Sequence, residues 1–294
     1  MKATSKEQDN SKEDNNAAYK QAGGHDGHIV FDGNKMTKKT KLSEVGNYER
    51  IVQDDPKFQK WIPHFYGAAK NKNGGYDDVC HMTTENLLYG REYASYMDIK
   101  LGTSSCTLGA SEEKQQYRLE ADQQRCTAEH GYTIVACQLK NPETGEEIEV
   151  KDSEGSVVNT GKIHPPTPND SKEWLKRLFT QKKKEDDDVI VMDTKAVTYV
   201  LSKLKSILDY FQNDNKYTIR GMSLFVVVDS HKEDYLVKLI DLVSMEHTGK
   251  RDEGLIEGCK SLMTLLKDMI HEKEGNTKKR KAKEELSKDD DRNG

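Results

Sequence analysis

The 294-residue sequence predicts an α+β fold in two lobes, a small sheet-rich first lobe and a larger second lobe of mixed structure. Short strand-like segments separated by turn signals fill the chain up to residue 86. After that residue, amphipathic helical patterns alternate with apolar runs rich in β-branched residues. The chain is long enough for both parts to bury a core.

The first lobe is expected to begin with a strand at His28–Phe31, which ends in a turn at Asp32-Gly33. A helix is expected from Ser43, with Glu44 in its first turn, where the helix dipole favours an acid. Two further strand candidates flank the turn-forming residues 71–75, and their sequences are WIPHFYGAA and YDDVCHMTT.

The second lobe opens with a predicted strand, a polar helix and a second strand, in the segments YASYMDIKLGTS, ASEEKQQYRLEADQQRC and GYTIVACQLKN. Residues 142–170 are rich in Gly, Pro, Ser, Thr and Asp. This composition predicts turns or an exposed insertion, which should tolerate change better than the elements around it.

A long amphipathic helix follows, with Asp193 or Thr194 as its N-cap. Its apolar stripe is a core face and consists of Val197, Val200, Leu201, Leu204, Ile207, Leu208 and Phe211. The runs SLFVVVDS and YLVKLIDL then predict a hairpin of two buried central strands. The segment DEGLIEGCKSLMTLLKDMI predicts a closing helix.

Charge and hydropathy exclude several classes of function. The chain has 46 Lys and Arg against 51 Asp and Glu, so its net charge of −5 argues against whole-molecule attraction to nucleic acid or anionic lipid. No segment approaches the roughly 20 apolar residues of a membrane-spanning helix, and no apolar signal core follows the first methionine. Any anionic ligand must therefore be bound by a local basic site.

The two ends of the chain are strongly charged and predict disorder at residues 1–22 and 272–294. The five cysteines contain no Cys-x-x-Cys pair, which is typical of reduced intracellular thiols and argues against a zinc site. A cytoplasmic or nuclear location is expected. The basic run at residues 278–283, KKRKAK, is similar to a nuclear import signal, and a solubilising tail explains it equally well.

An acid and a base lie side by side in the segment Asp98-Ile99-Lys100-Leu101-Gly102. The alternation of side chains along a strand puts Asp98 and Lys100 on the same face. A surface ion pair is the ordinary interpretation. The functional alternative is that the lysine binds phosphate while the aspartate takes a hydroxyl proton.

A second unusual acid is Asp241, which is embedded in an apolar strand at Ile240-Asp241-Leu242. A buried carboxylate costs free energy unless it is paired or binds a metal. Asp241 is therefore either a cap for the next turn or a ligand for Mg²⁺ that bridges nucleotide phosphates. Ser223, at the start of the preceding strand, is close enough across the predicted hairpin to hydrogen-bond Asp241.

Taken in order, these segments resemble the inositol polyphosphate kinase family, which carries a PxxxDxKxG motif, an SSLL-type strand and an IDF strand. The matching segments here are ASYMDIKLG, MSLFVVVD and VKLIDL. Three further segments are similar to family sequences, namely ASEEK, KAVTYVLSKLKSILDYF and DEGLIEGCKSLMTLL. The resemblance covers residues 23–269.

The resemblance implies a two-lobed kinase with an N-lobe at residues 23–86, a C-lobe at residues 87–271 and ATP in the cleft between them. It implies that Asp98 is the catalytic base, that Lys100 contacts the substrate and the transferred phosphate, and that Asp241 binds Mg²⁺ and ATP with support from Ser223. Further residues implied for ATP binding are Lys38, chosen over Lys35 and Lys39, together with Met82, Glu85 and Asn86. Those implied for substrate binding are Gly102, Lys114 and Arg118, in addition to Asp98 and Lys100.

The sequence departs from the family pattern at several positions, none of which removes a charge that transfer needs. Ala94 replaces the motif proline, Leu242 replaces the phenylalanine of IDF, and Met222 replaces the first serine of SSLL. Ser244 stands where the family often has His or Lys, and Asn86 where it more often has Asp. These departures bear on efficiency and on the preferred inositol phosphate.

The implied activity is ATP-dependent transfer of the γ-phosphate to a hydroxyl of an inositol tris- or tetrakisphosphate, as in a multikinase. The short stretch between the motif blocks lacks the large inserted substrate lobe and the calmodulin segment of the trisphosphate 3-kinases. Alternatives are a hexakisphosphate kinase that forms pyrophosphates and a degenerate kinase that acts as a binding scaffold. A monomer that binds ATP and an inositol polyphosphate, but no nucleic acid and no membrane, is expected.

Overall fold

The computed structural model describes residues 29–69, 78–152, 154–182 and 190–290. The predicted tail at residues 1–22 lies outside these ranges. Within them, no helix is both long enough and apolar enough to cross a membrane.

The first lobe is an antiparallel sheet covered by a helix. Its elements are β1 (Ile29–Asp32), β2 (Lys35–Lys41), α1 (Leu42–Asp54), α2 (Pro56–Gln59), β3 (Phe65–Ala69) and β4 (Val79–Glu85). The strand order is β1-β2-β4-β3. The expected strands and helix are confirmed, and α1 packs on the sheet through Val45, Tyr48 and Ile51, which helical spacing places on one face.

The second lobe is larger and mixes strands with helices. Its strands are β5 (Ser95–Leu101), β6 (Tyr132–Gln138), β7 (Thr180–Lys182), β8 (Ile190–Met192), β9 (Tyr217–Arg220), β10 (Ser223–Asp229), β11 (Asp234–Ile240) and β12 (Ser244–His247). Its helices are α3 (Glu112–Gln123), α4 (Cys126–His130), α5 (Pro168–Leu178), α6 (Thr194–Asn213) and α7 (Glu253–Asp290). The main sheet has the order β11-β10-β5-β6.

The long helix and the hairpin are confirmed, with one difference in the hairpin. Asp193 caps α6, because its carboxylate accepts a hydrogen bond from the Ala196 amide at 3.0 Å. β10 is a central strand as expected, but β11 is an edge strand. The sequence could not distinguish the two, because β11 still buries Val237 and Leu239 on its inner face.

The segment 142–170 consists mainly of exposed turns up to the start of α5, as predicted, but its later part is bonded to β6. The Cys137 amide donates to the Thr160 carbonyl at 2.9 Å, and the Ile163 and His164 amides donate to β6 carbonyls at 3.0 and 2.9 Å. These bonds cover backbone groups that the edge strand β6 would otherwise leave unpaired. The segment therefore forms one wall of the cleft between the lobes.

Helix α7 continues to Asp290, through most of the residues 272–294 for which the sequence predicted disorder. Lys and Glu dominate this stretch, and both have high intrinsic helix propensity. High charge alone therefore does not indicate a disordered tail. The nuclear location suggested by the run at residues 278–283 stays a prediction.

The turn before β6 contacts α7 so closely that only glycine fits. Gly131 has φ +66°, and a Cβ there would lie 2.6 Å from the Gly258 nitrogen. Gly131→Ala should lower the free energy of unfolding by about 3 kcal/mol, through left-handed strain and overpacking together. Urea denaturation measures this loss. Gly109→Ala is the matched control, with φ +73° but nothing within 4 Å, and equal losses in both variants would contradict the packing argument.

Candidate active site

A cleft of about 420 Å³ separates the two lobes. The first lobe contributes apolar side chains of β1 and β2 and the ammonium of Lys38, and the second lobe contributes the faces of β5, β6 and β10. Residues 85–88 connect the lobes and line one end of the cleft. The cleft thus has an apolar end at this connection and a charged end where Asp98, Lys100 and Asp241 lie.

Two lysines from different lobes meet on one aspartate. Lys38 Nζ lies 3.1 Å from Asp241 Oδ1, and Lys100 Nζ lies 3.4 Å from Asp241 Oδ2. Of the three first-lobe lysines left open by the sequence, Lys38 is the one whose ammonium contacts Asp241, whereas Lys35 stacks on the Tyr66 ring at 5.0 Å. The ion-pair network Lys38–Asp241–Lys100 places positive charge from both lobes around one carboxylate.

Asp241 lies one residue beyond β11, not within it, and its backbone is left-handed with φ +63°. This conformation turns the carboxylate out of the sheet toward the cleft, and Asp tolerates it better than most residues. Partial burial raises the pKa of Asp241, but the Lys38 and Lys100 ammonium groups outweigh this effect and hold the pKa at about 2. Asp241 is therefore ionised at any physiological pH.

Asp98 and Lys100 lie on the same face of β5, as the strand period predicts. Burial raises the pKa of Asp98, the Lys100 ammonium lowers it in part, and the Asp241 carboxylate raises it again. Asp98 Oδ1 is buried, and no described residue hydrogen-bonds to it. An acceptor oxygen without a partner at the bottom of a cleft is available to a ligand hydroxyl.

Ser223 supports the site in a different way from the one expected. The sequence pointed to a hydrogen bond between Ser223 and Asp241, but the Ser223 hydroxyl accepts a bond from Lys100 Nζ at 3.0 Å. The reason is register, because Ser223 lies directly opposite Lys100 in the β10–β5 pair. Ser223 therefore orients Lys100 rather than Asp241.

Two residues of α1 that the sequence did not single out for function hold the backbone beside Asp241. Glu44 is fully buried, bonds to Lys38 Nζ at 2.8 Å and accepts a hydrogen bond from the Leu242 amide at 3.2 Å. Asn47 Nδ2 donates to the Leu242 carbonyl at 2.6 Å. Thr40 also donates to Glu44. The first-lobe helix thus fixes the left-handed turn that presents Asp241.

The connection between the lobes combines an anchored residue with a free hydroxyl. Glu85 lines the cleft, as expected, while the amide of Asn86 is buried and donates from Nδ2 to the Gly33 carbonyl at 2.9 Å. Its Oδ1 also accepts a bond from the Leu88 amide at 3.1 Å, so Asn86 mainly ties the connection to the β1–β2 turn. Thr84 Oγ1 lines the same end, buried and without a partner among the described residues.

The structure does not bring four of the implied binding residues into the cleft lining. Met82 is fully buried in the core, two residues before Thr84, which does line the cleft. Gly102 is buried at the end of β5, where its φ of +108° is needed for the turn and its amide donates to the Gly131 carbonyl. The other two, Lys114 and Arg118, lie on α3.

Lys114 and Arg118 differ in their position on α3. Lys114 is exposed, whereas Arg118 is half-buried and close enough to His164 to lower the pKa of that imidazole. Of the two, Arg118 is therefore the one whose charge acts on the cleft wall, through His164.

The acidic residues of the cleft fit a hard divalent cation that is shared with a phosphate ligand. Among the described residues, no three His, Cys, Asp or Glu side chains form a closed metal cage. Mg²⁺ rarely needs one, since it keeps several waters and takes one or two carboxylates plus substrate phosphates. Asp241, ionised and 36% exposed at the charged end of the cleft, is a donor of this type.

A small antiparallel lobe and a larger α+β lobe, with cations of both directed into the cleft between them, define the class of two-lobed kinases. A family model described as inositol polyphosphate kinase matches residues 81–267, more than half of the chain. The chain belongs to the inositol polyphosphate kinase family. The family resemblance predicted from the sequence motifs is thereby confirmed.

Two solved structures share the fold. One is the crystal structure of the inositol phosphate multikinase Ipk2 from S. cerevisiae in complex with ADP and Mn²⁺, with a TM-score of 0.63, 19% identity and coverage of 81% of this chain and 100% of that chain. A second inositol phosphate multikinase structure has a TM-score of 0.58, 19% identity and coverage of 77% and 99%. A comparison with curated proteins finds no match. The predicted two-lobed α+β fold is confirmed.

Proposed function

We propose that the protein transfers the γ-phosphate of ATP to a hydroxyl of an inositol tris- or tetrakisphosphate, as a multikinase does. The observation that carries this proposal is the ion-pair network Lys38–Asp241–Lys100 at the charged end of the cleft, next to the buried carboxylate of Asp98. The family supports the reaction class, and a solved relative of the same fold binds ADP and Mn²⁺.

The apolar end of the cleft suits the adenine base. Ile29 and Phe31 from the first lobe and Leu88 and Phe225 from the second provide two apolar surfaces for a flat ring. The unpartnered Thr84 hydroxyl lies at this end, where a nucleobase nitrogen satisfies it. With the base here, the phosphates extend toward Lys38 and Asp241.

The charged groups then divide the work of transfer. Lys38 binds the nucleotide phosphates from the first lobe, and Lys100 stabilises the charge that develops on the transferred group. The pKa of both lysines is raised because neighbouring carboxylates outweigh their burial, so both stay cationic at neutral pH. In the free protein they share Asp241, and a bound nucleotide offers them phosphate oxygens instead.

Asp98 is positioned to orient the acceptor hydroxyl and take its proton. Because burial raises the pKa of this carboxyl and the Lys100 ammonium offsets only part of the rise, it is a stronger base than an exposed aspartate. Asp241 would hold Mg²⁺, which supplies charge neutralisation of the phosphates when bound.

The test is incubation with Mg-ATP and inositol tris-, tetrakis-, pentakis- and hexakisphosphate, with the products separated by anion exchange. New, more highly phosphorylated products from tris- or tetrakisphosphate are expected. Product from hexakisphosphate alone would replace the proposal with a pyrophosphate-forming kinase. Intact nucleotide binding without any product would replace it with a binding scaffold.

Turnover is expected to fall at acid pH with a midpoint above the ordinary aspartate pKa of about 3.9. The rate falls because a protonated Asp98 carboxyl cannot accept the proton of the hydroxyl. The raised pKa of Asp98 means that this protonated form persists to higher pH than in an ordinary aspartate. Asp241, with a pKa of about 2, stays ionised over this range and does not contribute to the decrease in rate. The measurement is kcat at saturating substrates from about pH 4 to pH 8. A rate that stays level down to the ordinary aspartate value would contradict the role of Asp98.

A further inference from the structure

His164 lies on the cleft wall beside β6. The segment 160–164 runs along the outer edge of this strand, and the His164 amide donates to the Ile134 carbonyl at 2.9 Å. Ile134 in turn pairs with Ile99 on β5. His164 is therefore level with the two charged residues that flank Ile99, and its ring lines the same cleft.

The order of the sheet separates His164 from the proposed metal carboxylate. Asp241 follows β11 at one edge of the main sheet, Asp98 and Lys100 lie on the inner strand β5, and His164 lies outside β6 at the other edge. If the nucleotide phosphates lie at Asp241, the groups proposed to transfer phosphate stand between them and His164. His164 is thus on the acceptor side of the site.

The backbone and the ring of His164 both indicate a functional constraint. Its φ is +45°, although a residue before proline is normally extended, and Pro165 follows it. Strained residues of this kind persist where the surroundings enforce them, and they cluster at functional sites. Nδ1 is buried and has no hydrogen-bond partner among the described residues. An imidazole nitrogen in this state lacks the partner that a ligand provides.

Three cations from three different elements act on this ring. They are Arg125 before α4, Lys100 on β5 and Arg118 on α3. Burial lowers the pKa of His164 to about 4, and these cations contribute to the decrease. The imidazole is therefore neutral in the free protein at physiological pH, although three cations act on it.

We propose that His164 binds a phosphate group of the acceptor substrate and takes up one proton from solvent when that polyanion binds. This inference rests on the proposed function and assigns one residue of its substrate site. The physical reason is linkage: several phosphate charges beside the ring offset the three cations and stabilise imidazolium, which donates a charge-assisted hydrogen bond. Substrate affinity should therefore decrease as pH rises from 6 to 8 more steeply than it does without His164.

The test compares the wild-type protein with His164→Asn by titration calorimetry with an inositol trisphosphate. Asn tolerates positive φ as His does, so the turn is retained, but its amide cannot take a proton. His271→Asn, at an exposed position of α7, is the control. Titration in two buffers with different ionisation enthalpies gives the number of protons taken up. The phosphates of the ligand also titrate in this range, so the difference between proteins is the relevant quantity.

The wild type and His271→Asn should take up close to one proton more than His164→Asn at pH 6.5. Their Kd should also be about 10-fold lower, the scale of one charge-assisted hydrogen bond. Equal Kd and equal proton uptake in all three folded proteins would overturn the assignment of His164 and leave the kinase proposal intact. A wild type that binds no inositol phosphate would overturn the proposed function and this inference with it.

Discussion

Asp241→Asn should reduce turnover by about 10³-fold or more, the scale of losing one preorganised electrostatic group at a phosphoryl-transfer site. The substitution keeps the size of the side chain, and Asn tolerates the left-handed backbone at this position. It removes the one carboxylate that Lys38 and Lys100 share. It also removes the charge proposed to hold Mg²⁺, so excess Mg²⁺ should restore only part of the rate.

The control for this variant is Asp268→Asn, which removes one negative charge from an exposed position of α7. It should retain the wild-type rate. Lys38 keeps its ion pair with Glu44 in Asp241→Asn, so the variant is expected to fold and to melt near the wild-type temperature. A folded Asp241→Asn protein with more than a tenth of the wild-type kcat would show that transfer does not depend on this carboxylate.

The site features that could be predicted from the sequence are those that depend on neighbouring residues in the chain. Asp98 and Lys100 were placed on one face by the two-residue period of a strand, and the structure has them there. The cap of α6 at Asp193 followed from residue type and helical spacing in the same way. A period and a cap involve only neighbours in the chain, so no knowledge of the tertiary fold was needed.

The residues that sequence reasoning missed act across long sequence separations. Glu44 and Asn47 bond to Leu242 from positions 198 and 195 residues away. Glu44 had an adequate local explanation as an acid in the first turn of a helix, which concealed its ion pair with Lys38. The available signal was an acid and an amide three residues apart on the apolar side of an amphipathic helix, where polar groups need partners.

Composition predicted the turns of the segment 142–170 but not its contact with the cleft wall. The segment that contains His164 is rich in turn formers, yet the Ile163 and His164 amides are bonded to β6. Met82 was expected to bind ATP but lies in the core. The two-residue period of β4 shows that Met82 faces inward, but it does not show whether that part of the face lies under α1 or in the cleft. Gly102 was expected to contact substrate, whereas its role in the structure is a positive φ and a tight turn.

Glu44→Gln should weaken both stability and catalysis, although Glu44 lies outside the cleft lining. Removing one partner of a buried ion pair costs about 3–5 kcal/mol, which corresponds to a decrease in Tm on the order of 5–10 °C for a chain of this size. Catalysis depends on Glu44 because it holds both the Lys38 ammonium and the Leu242 amide next to Asp241. Loss of a group that orients a ligand typically costs 10- to 100-fold, so kcat/KM for ATP should fall by about that factor.

Two further variants separate the contributions to this effect. Glu113→Gln removes an acid from the first turn of α3, where the side chain is exposed and has no buried ion pair. It therefore reproduces only the helix-dipole effect of Glu44→Gln. Its Tm should stay within about 2 °C of the wild-type value. Asn47→Ala removes the bond to the Leu242 carbonyl but leaves the charge of Lys38 balanced. It should therefore lower kcat, because the turn that carries Asp241 loosens. The change in KM for ATP should be smaller than in Glu44→Gln, because Lys38 stays in place. Thermal melting and steady-state kinetics on the three variants test this. If Glu44→Gln matched Glu113→Gln in both Tm and kcat/KM, the Lys38–Glu44 pair would have no part in presenting Lys38 and Asp241 to the nucleotide.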